Sequence, residues 1–140
     1  MFMTTALSCL AAAVYFEARG EPEMGQLAVA QVVMTRVEDR RWPNTVCEVV
    51  KENRHPGTLH RCQFSFYCNG QREIVRDQEA WETAEQIAEW VLDGAYTIRV
   101  PATHFHATNV KPFWSMHYER LGRIENHVFY YAPDPLDAGQ

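Results

Sequence analysis

The first apolar segment of the chain repeats with the period of an α-helix. In residues 6–18, leucine and valine side chains recur at intervals of three and four positions, which predicts a helix with an apolar face. Thr4 and Thr5 precede the segment as candidate N-caps, and Gly20 and Pro22 follow it. These flanking residues predict that the helix begins near residue 6 and ends near residue 18.

Two later segments have the same period. Residues 24–40 place leucine, alanine, valine and methionine on one face, with basic residues in the last turn. Residues 77–93 place alanine, isoleucine and valine on one face and glutamates on the other. Between them, Trp42-Pro43-Asn44 interrupts the pattern, and residues 45–51 are long enough for one or two helical turns with Asn44 as cap. We therefore predict three helices and one shorter helical piece.

The pattern changes after Pro101 to short β-like pieces. Three strands are predicted there, at residues 103–107, 119–124 and 127–131. The last two are close enough to form a hairpin around Glu125-Asn126. An earlier aromatic segment, residues 63–67, has the composition of a short strand or extended piece. Helices first and short strands late indicate an α+β domain.

Length, composition and charge fit one folded domain and disfavour some partners. The chain has 140 residues, 46% of them hydrophobic, which is enough for a single core. We place the domain at residues 1–132 and a short C-terminal tail at residues 133–140. The formal net charge is -5 and no stripe of lysine and arginine is present. This balance argues against nucleic acid as a partner, because phosphate binding needs concentrated positive charge.

The apolar N-terminus, residues 1–16, is not expected to target or anchor the protein. No lysine or arginine precedes the apolar run, so the charged region of a signal peptide is missing. The run is also too short to span a bilayer as a helix. We therefore expect a monomer that is made in the cytoplasm without a signal peptide and has no stable membrane insertion.

The cysteines leave the redox state open. Cys9, Cys47, Cys62 and Cys68 allow three disulfide connectivities or none. Without a signal peptide, the default expectation is reduced, buried thiols, although a protein that acts outside the cytosol could oxidise there. The spacing of Cys62 and Cys68 does not match a zinc knuckle. We accordingly expect no metal and no other cofactor.

The most informative segment is Tyr15-Phe16-Glu17-Ala18-Arg19-Gly20-Glu21. Glu17 lies one heptad after Leu10, so it projects from the apolar stripe of the first helix. Partial burial among aromatic side chains disfavours the charged carboxylate and raises its pKa. A raised carboxyl pKa suits a general acid that works near neutral pH. The alternative for Glu17 is a structural role, in which it pairs with Arg19 or caps a neighbouring backbone group.

This segment, together with later motifs, resembles the SleB/CwlJ-type cell wall hydrolase family. The motifs follow in the family's order from about Cys9 to Tyr130. They are residues 15–21, Gly25-Gln26, Val29-Ala30, Val32-Val33, Arg36-Val37, Trp42-Pro43-Asn44-Thr45, Val49-Val50, residues 62–66, residues 103–107, Trp114-Ser115 and residues 127–130. The family includes spore-cortex lytic enzymes and relatives in Gram-negative bacteria and phages. The resemblance implies a lysozyme-like, lytic-transglycosylase-like domain, mainly helical with a small antiparallel sheet.

The resemblance also implies an activity, namely cleavage of peptidoglycan glycan strands with Glu17 as catalytic acid and base. A glycosidase that uses water needs two carboxyl groups about 5 to 9.5 Å apart. Glu21 and Glu23 are expected to be exposed beyond the helix end, so the pattern places only Glu17 well. A lytic transglycosylase needs one carboxyl group, which favours that reaction and leaves a muramidase open. Other acidic residues that could fold inward are Asp39, Glu48, Glu73 and Glu119.

Seven further residues are candidate substrate ligands: Gln63, Ser65, Tyr67, His104, His106, Asn109 and Trp114. Gln63 and Ser65 alternate with phenylalanines, so on a strand they would share a face toward sugar or toward solvent. Tyr67 and Trp114 have rings that suit stacking on sugars, although single aromatic residues are also common in cores. Asn109, with Lys111 beside it, is the weakest candidate for the cleft.

Two rival functions remain open at this point. His104 and His106, two residues apart on a predicted strand, would point to the same face, as zinc ligands do. With Cys62, Cys68 or His127 they could serve a zinc-dependent amidase or peptidase that acts on the peptide stems, although no spacing typical of zinc is present. The other rival is a glycan-binding module without catalysis, which the intact Glu17 segment disfavours.

The biological setting expected from the sequence is host cell lysis. Many members of the resembled family carry a signal peptide and a wall-binding domain, and neither is recognisable in these 140 residues. We therefore expect a phage-type endolysin that accumulates in the cytoplasm and acts on the cell wall in the periplasm after holin release.

Overall fold

The computed structural model describes residues 3–53, 63–68, 73–94 and 101–133. Within them, four α-helices come first: α1 Ala6–Ala18, α2 Glu23–Glu38, α3 Val46–Val50 and α4 Gln78–Leu92. Three strands follow: β1 His104–Ala107, β2 Glu119–Ile124 and β3 His127–Tyr131. Two short 3-10 helices, Ser65–Cys68 and Phe113–Met116, lie between these elements. The predicted α+β class, mainly helical with a small antiparallel sheet, is confirmed.

Helix α1 has the bounds that the sequence predicted, and its start is fixed by a capping box. The Thr5 side chain accepts a hydrogen bond from the Ser8 backbone N–H at 3.1 Å, and the Ser8 hydroxyl accepts one from the Thr5 N–H at 3.0 Å. The expectation of one apolar face is wrong, because every residue from position 9 to position 15 is buried. Helices α2, α3 and α4 all pack against α1, so α1 is the centre of the core.

Helix α2 ends at Glu38, two residues earlier than predicted, and carries a buried cation. Arg36 has no exposed surface. Its Nε donates to the Thr103 carbonyl at 2.8 Å, immediately before β1. Its guanidinium also lies 5.3 Å from the Trp42 ring and 5.5 Å from the Phe64 ring, within the range of cation–π attraction. Arg36 therefore ties α2 to the sheet and to the segment around residue 64.

Side-chain caps also set the starts of the other two helices. Asp77 caps α4 by accepting from the Ala80 N–H at 3.0 Å, and Thr45, not the predicted Asn44, caps α3 by accepting from the Glu48 N–H at 3.2 Å. The Tyr15 hydroxyl accepts from the Asp77 N–H at 3.1 Å. This bond docks the start of α4 against α1.

The sheet is antiparallel with strand order β1-β3-β2, so β1 is an edge strand. Phe105 pairs with Phe129 across β1 and β3. The predicted hairpin between β2 and β3 is confirmed, and its turn contains Glu125 with a positive φ of 51°. One face of the sheet packs on the helical core. The other face holds a second apolar cluster: Trp114, Tyr118, Val128, Tyr130 and Ala132.

The strand predicted at residues 63–67 is wrong. Residues Ser65–Cys68 form a 3-10 helix, and the Tyr67 N–H donates to the Phe64 carbonyl at 3.1 Å. This local bond closes a turn, and Phe64 and Phe66 are buried in the core on either side of it. Aromatic composition therefore indicated burial here without indicating extended backbone.

The expectation of reduced thiols is also wrong for the described cysteines. Cys9 of α1 and Cys47 of α3 form a disulfide, and Cys68 is disulfide-bonded as well. Cys62 lies outside the described residues, as do residues 134–140 of the predicted tail. The domain boundary at residue 132 stays a prediction. No helix among the described residues is both long enough and apolar enough to cross a bilayer.

Candidate active site

A cleft of about 470 Å³ opens where the end of α1 meets the edge of the sheet. Three consecutive residues from the edge strand β1 line it. The described lining residues are Glu17, Gln63, Phe105, His106, Ala107, Val110, Lys111, Pro112 and His127. The cleft thus combines apolar side chains with a few polar and ionisable ones, as ligand sites commonly do.

Glu17 is the penultimate residue of α1, and the core around that helix determines its electrostatics. The side chain is half-buried, and desolvation raises the pKa of Glu17 to about 7. Near neutral pH its carboxyl group therefore exists in comparable amounts of acid and carboxylate. That state suits a group that must both donate and accept a proton.

Glu21 is held next to the cleft by residues that lie about a hundred positions later in the chain. One carboxylate oxygen accepts from the Asn126 side-chain amide at 2.7 Å, and the other accepts from the Asn126 N–H at 3.1 Å. The Nδ1 of His127 lies 3.1 Å from the latter oxygen. The expectation that Glu21 is exposed is wrong, because its side chain is only 9% exposed.

His127 links Glu21 to the catalytic candidate. Its ring makes a hydrogen bond with the backbone of Glu17 as well as with the Glu21 carboxylate. Burial lowers the pKa of His127 below its ordinary value, although the Glu21 carboxylate favours the charged form and opposes this effect. The ring therefore lines the cleft and also fixes the end of α1 against the β2–β3 turn.

A second chamber of about 430 Å³ continues from the first cleft. The two chambers share His106, Val110 and Lys111. The second is otherwise lined by Thr108, Asn109, Ser115, Met116 and Tyr130. Among the described lining residues of both chambers, Glu17 is the one carboxyl group and Lys111 the one lysine or arginine.

Three of the predicted substrate ligands lie at these chambers. Gln63 and His106 line the first, and His106 and Asn109 line the second. Gln63 is buried, and its Oε1 accepts a long hydrogen bond of 3.4 Å from Arg36. The buried guanidinium of Arg36 is therefore placed to orient the Gln63 amide.

The other predicted ligands are not brought to the described lining. His104 is 4% exposed and Trp114 is 3% exposed, and their ring centroids lie 5.1 Å apart in the second apolar cluster. Tyr67 packs partly buried against the core. Ser65 is the first residue of a 3-10 helix, so it does not share a strand face with Gln63. Binding roles for these four residues stay predictions, and packing is the role that the geometry describes for His104, Tyr67 and Trp114.

The two histidines of the zinc hypothesis are engaged in hydrogen bonds. Nδ1 of His106 donates to the Ala107 carbonyl at 2.7 Å, and Nε2 lies 3.0 Å from the Tyr130 hydroxyl. Nδ1 of His104 lies 2.9 Å from the Thr103 hydroxyl. Over the described ranges, no three His, Cys, Asp or Glu side chains are grouped to hold a metal ion. Both histidines therefore already have hydrogen-bond partners within the protein.

Sequence reasoning missed the parts of the site that depend on distant segments. The sequence indicates His127 only as a possible zinc ligand and Lys111 only as a weak contact at the cleft. Their places at the cleft follow from the pairing of β3 with β1 and from the loop after β1. The signal available in the sequence was the presence of His127 in one of the motifs of the family resemblance.

A half-desolvated carboxyl group in a cleft of this kind defines a candidate acid–base catalyst. Residues 20–130 match the profile of the cell wall hydrolase family, and the chain belongs to this family. Glu17 precedes the matched range, so the match itself does not bear on that residue.

Curated relatives of the chain are spore cortex-lytic enzymes. The one from Oceanobacillus iheyensis is 48% identical over 124 residues, which are 88% of this chain and 40% of that protein. The one from Bacillus cereus is 29% identical over 123 residues, which are 88% of this chain and 43% of that protein. The chain therefore spans less than half the length of these curated relatives.

Two solved structures are similar over nearly the whole chain. The catalytic domain of the germination-specific lytic transglycosylase SleB from Bacillus anthracis has a TM-score of 0.70 and 28% identity, with 90% of this chain and 93% of that chain covered. The catalytic domain of the Bacillus cereus SleB protein has a TM-score of 0.64 and 26% identity, with 90% and 89% covered. The expected lysozyme-like, lytic-transglycosylase-like fold is confirmed by these neighbours.

Proposed function

We propose that this protein cleaves the glycan strands of peptidoglycan, between N-acetylmuramic acid and N-acetylglucosamine, as a lytic transglycosylase with Glu17 as acid and base. The observation that carries the proposal is the raised pKa of Glu17 in the cleft. Glu17 supplies the one carboxyl group among the described lining residues, and desolvation raises its pKa to about 7.

In the proposed reaction, Glu17 begins protonated and donates its proton to the glycosidic oxygen as the bond from that oxygen to C1 breaks. The resulting Glu17 carboxylate then accepts the proton of the C6 hydroxyl as O6 bonds to C1 of the same muramic acid residue. The products are a free sugar hydroxyl and a 1,6-anhydromuramoyl end, and no water is consumed. Glu17 ends the cycle protonated, so a pKa near 7 keeps both steps accessible at neutral pH.

The state of Glu21 supports transglycosylation over hydrolysis. Hydrolysis requires a second carboxyl group across the scissile bond to activate water or to form a covalent intermediate. Glu21 is the nearest acidic residue to Glu17 in sequence, and its carboxylate is 9% exposed and hydrogen-bonded to Asn126 and His127. A carboxylate in this state is poorly placed to reach substrate. A muramidase, which needs that second carboxyl group, is therefore only the second candidate.

The names of similar proteins support the same substrate class. The curated relatives are named spore cortex-lytic enzymes, and the Bacillus anthracis neighbour is named a lytic transglycosylase. The zinc-dependent amidase or peptidase has less support, because His104 and His106 are engaged with Thr103, Ala107 and Tyr130.

Mass spectrometry of the soluble products from Gram-negative sacculi tests the proposal, with the wild type beside Glu17→Gln. Anhydromuramoyl ends from the wild type alone are expected. Reducing muramic acid ends would instead show that the enzyme cleaves the glycosidic bond by hydrolysis, as a muramidase does. Intact glycans with cut stems from both proteins would overturn the proposal, and loss of that cutting with a chelator would point to a metal enzyme.

A role in host cell lysis belongs to the same proposal. Co-expression with a holin should lyse Gram-negative cells, whereas expression alone should be tolerated. Lysis without a holin would contradict an endolysin that depends on holin release.

A further inference from the structure

We propose that the second chamber, around Lys111, binds the acidic stem peptide of the muramic acid residue on which Glu17 acts. This inference rests on the proposed function, because the stem peptide is part of the same substrate. The ligand class is a short peptide that carries alanine methyl groups and free carboxylates and is joined to the glycan through the muramic lactyl group.

The position of the chamber fits such a ligand. It shares His106, Val110 and Lys111 with the cleft that contains Glu17, so a substituent of a sugar bound in the cleft can enter it directly. Its volume of about 430 Å³ is close to the 470 Å³ of the cleft itself. The chamber is open to solvent, so a substituent that extends away from the sugar can occupy it.

The surface chemistry of the chamber is that of an amphiphilic anion site. Lys111 is exposed and is the one lysine or arginine among its described lining residues. Asn109 and Ser115 add hydrogen-bonding groups, and Met116 adds an apolar wall. A peptide with carboxylates and methyl groups complements this set, whereas a neutral glycan would leave the lysine without a partner of opposite charge.

Exposed apolar side chains concentrate on the loop that carries Lys111. Val110 is 52% exposed, Phe113 is 68% exposed and Met116 is 74% exposed. Such a concentration on one short loop is typical of a binding surface. The patch continues the lining of the chamber through Val110 and Met116, which places apolar contact area beside the cation.

The loop is also held in a defined shape. Trp114 anchors it in the second apolar cluster with 3% exposure. The Ser115 hydroxyl donates to the Pro112 carbonyl at 2.7 Å, and the Val110 N–H donates to the Ala107 carbonyl at 3.1 Å. A loop fixed in this way loses little conformational entropy when a ligand binds.

Kinetics on two forms of one substrate test the inference. Soluble glycan chains are prepared from sacculi with their stems intact, and a second portion is stripped of stems by an amidase. The measured quantity is the ratio of kcat/KM on stem-bearing chains to kcat/KM on stripped chains. In Lys111→Gln this ratio should fall about fivefold relative to the wild type at low salt, and the decrease should shrink in about 0.5 M NaCl.

Arg40→Gln is the matched control, because Arg40 is an exposed cation after the end of α2 that lines neither chamber. Its ratio should equal that of the wild type. A ratio equal to that of the wild type in Lys111→Gln would overturn the inference. If kcat/KM falls equally on both substrates, Lys111 contacts the glycan, and if it falls on neither, Lys111 does not contact the substrate.

A binding experiment separates this inference from the proposed function. The tetrapeptide released from sacculi by an amidase is titrated into Glu17→Gln and followed by NMR. Saturable shifts confined to residues 106–116 and Tyr130 are expected, with loss of binding when the peptide carboxylates are amidated. No saturable shift, or equal binding of the amidated peptide, would overturn the inference. If the wild type cuts neither glycan, the proposed function fails and the titration still decides whether the chamber binds stems.

Discussion

Glutamine in place of Glu17 keeps the shape of the side chain and removes its ability to ionise. In the folded wild type, burial raises the pKa of Glu17 from the ordinary value of 4.5 to about 7. The folded state therefore retains a proton over a pH range in which the unfolded state has released it. The stability that comes from the neutral carboxyl is fully present below pH 4.5 and is lost as the pH rises through about 7.

The size of this effect follows from the two pKa values. They differ by about 2.5 pH units, which corresponds to about 3 kcal/mol of unfolding free energy at pH 8. This figure is a ceiling, because Glu17 is half-buried and water screens part of the penalty. With an unfolding entropy of about 0.3 kcal/mol/K for a chain of this length, Glu17→Gln should raise the Tm at pH 8 by up to about 10 °C.

Thermal unfolding followed by circular dichroism checks this at pH 4 and at pH 8. The wild type is compared with Glu17→Gln and with Glu89→Gln, which removes a carboxyl from the exposed face of α4. Only Glu17→Gln should gain stability, and only at pH 8. Equal Tm values for Glu17→Gln and the wild type at pH 8 would show that the carboxyl is not desolvated. A variant less stable at both pH values would show that Gln does not fit the site.

Three further predictions address the reaction and the scaffold. The rate of glycan cleavage by the wild type should fall above pH 7, because Glu17 then loses the proton that it donates; a level rate up to about pH 9, measured by release of soluble muropeptides, would contradict this. Glu21→Ala should lower kcat roughly 10- to 100-fold with a smaller change in KM, because His127 loses the partner that orients it beside Glu17; an unchanged kcat would limit Glu21 to a structural role. Replacing both Cys9 and Cys47 by alanine opens a crosslink between positions 38 residues apart and should lower the unfolding free energy by about 4 kcal/mol. Urea denaturation measures that loss, and a loss below about 1 kcal/mol would mean that other contacts already hold α1 and α3 together.

Local signals predicted most of the elements. The capping threonine, the helical period and Gly20 were sufficient for both ends of α1, since all of them act within a few residues. The β2–β3 hairpin was likewise predicted from its strand composition and its short turn. The segment at residues 63–67 failed because the same aromatic residues fit a buried turn as well as a strand, and the choice depends on the core that receives Phe64 and Phe66.

The carboxyl group of the site was predictable because one helix determines its position. The heptad from Leu10 to Glu17 indicated a partly buried carboxyl, and burial raises its pKa as expected. The state of Glu21 was not predictable, because it depends on Asn126 and His127 in a distant hairpin.

The same limit applies to the histidine pair. The alternation of residues along a strand could not show that the second apolar cluster, around Trp114, would bury His104 and leave His106 at the cleft.

The proton that Glu17 retains also makes it chemically distinguishable from ordinary carboxyl groups. Diazo reagents esterify carboxylic acids in their protonated form. At pH 7 about half of Glu17 is protonated, whereas a carboxyl with the ordinary pKa of 4.5 is only about 0.3% protonated. A small diazo compound that enters the cleft should therefore label Glu17 first, and the stoichiometry of labelling would count the properly folded molecules in any preparation.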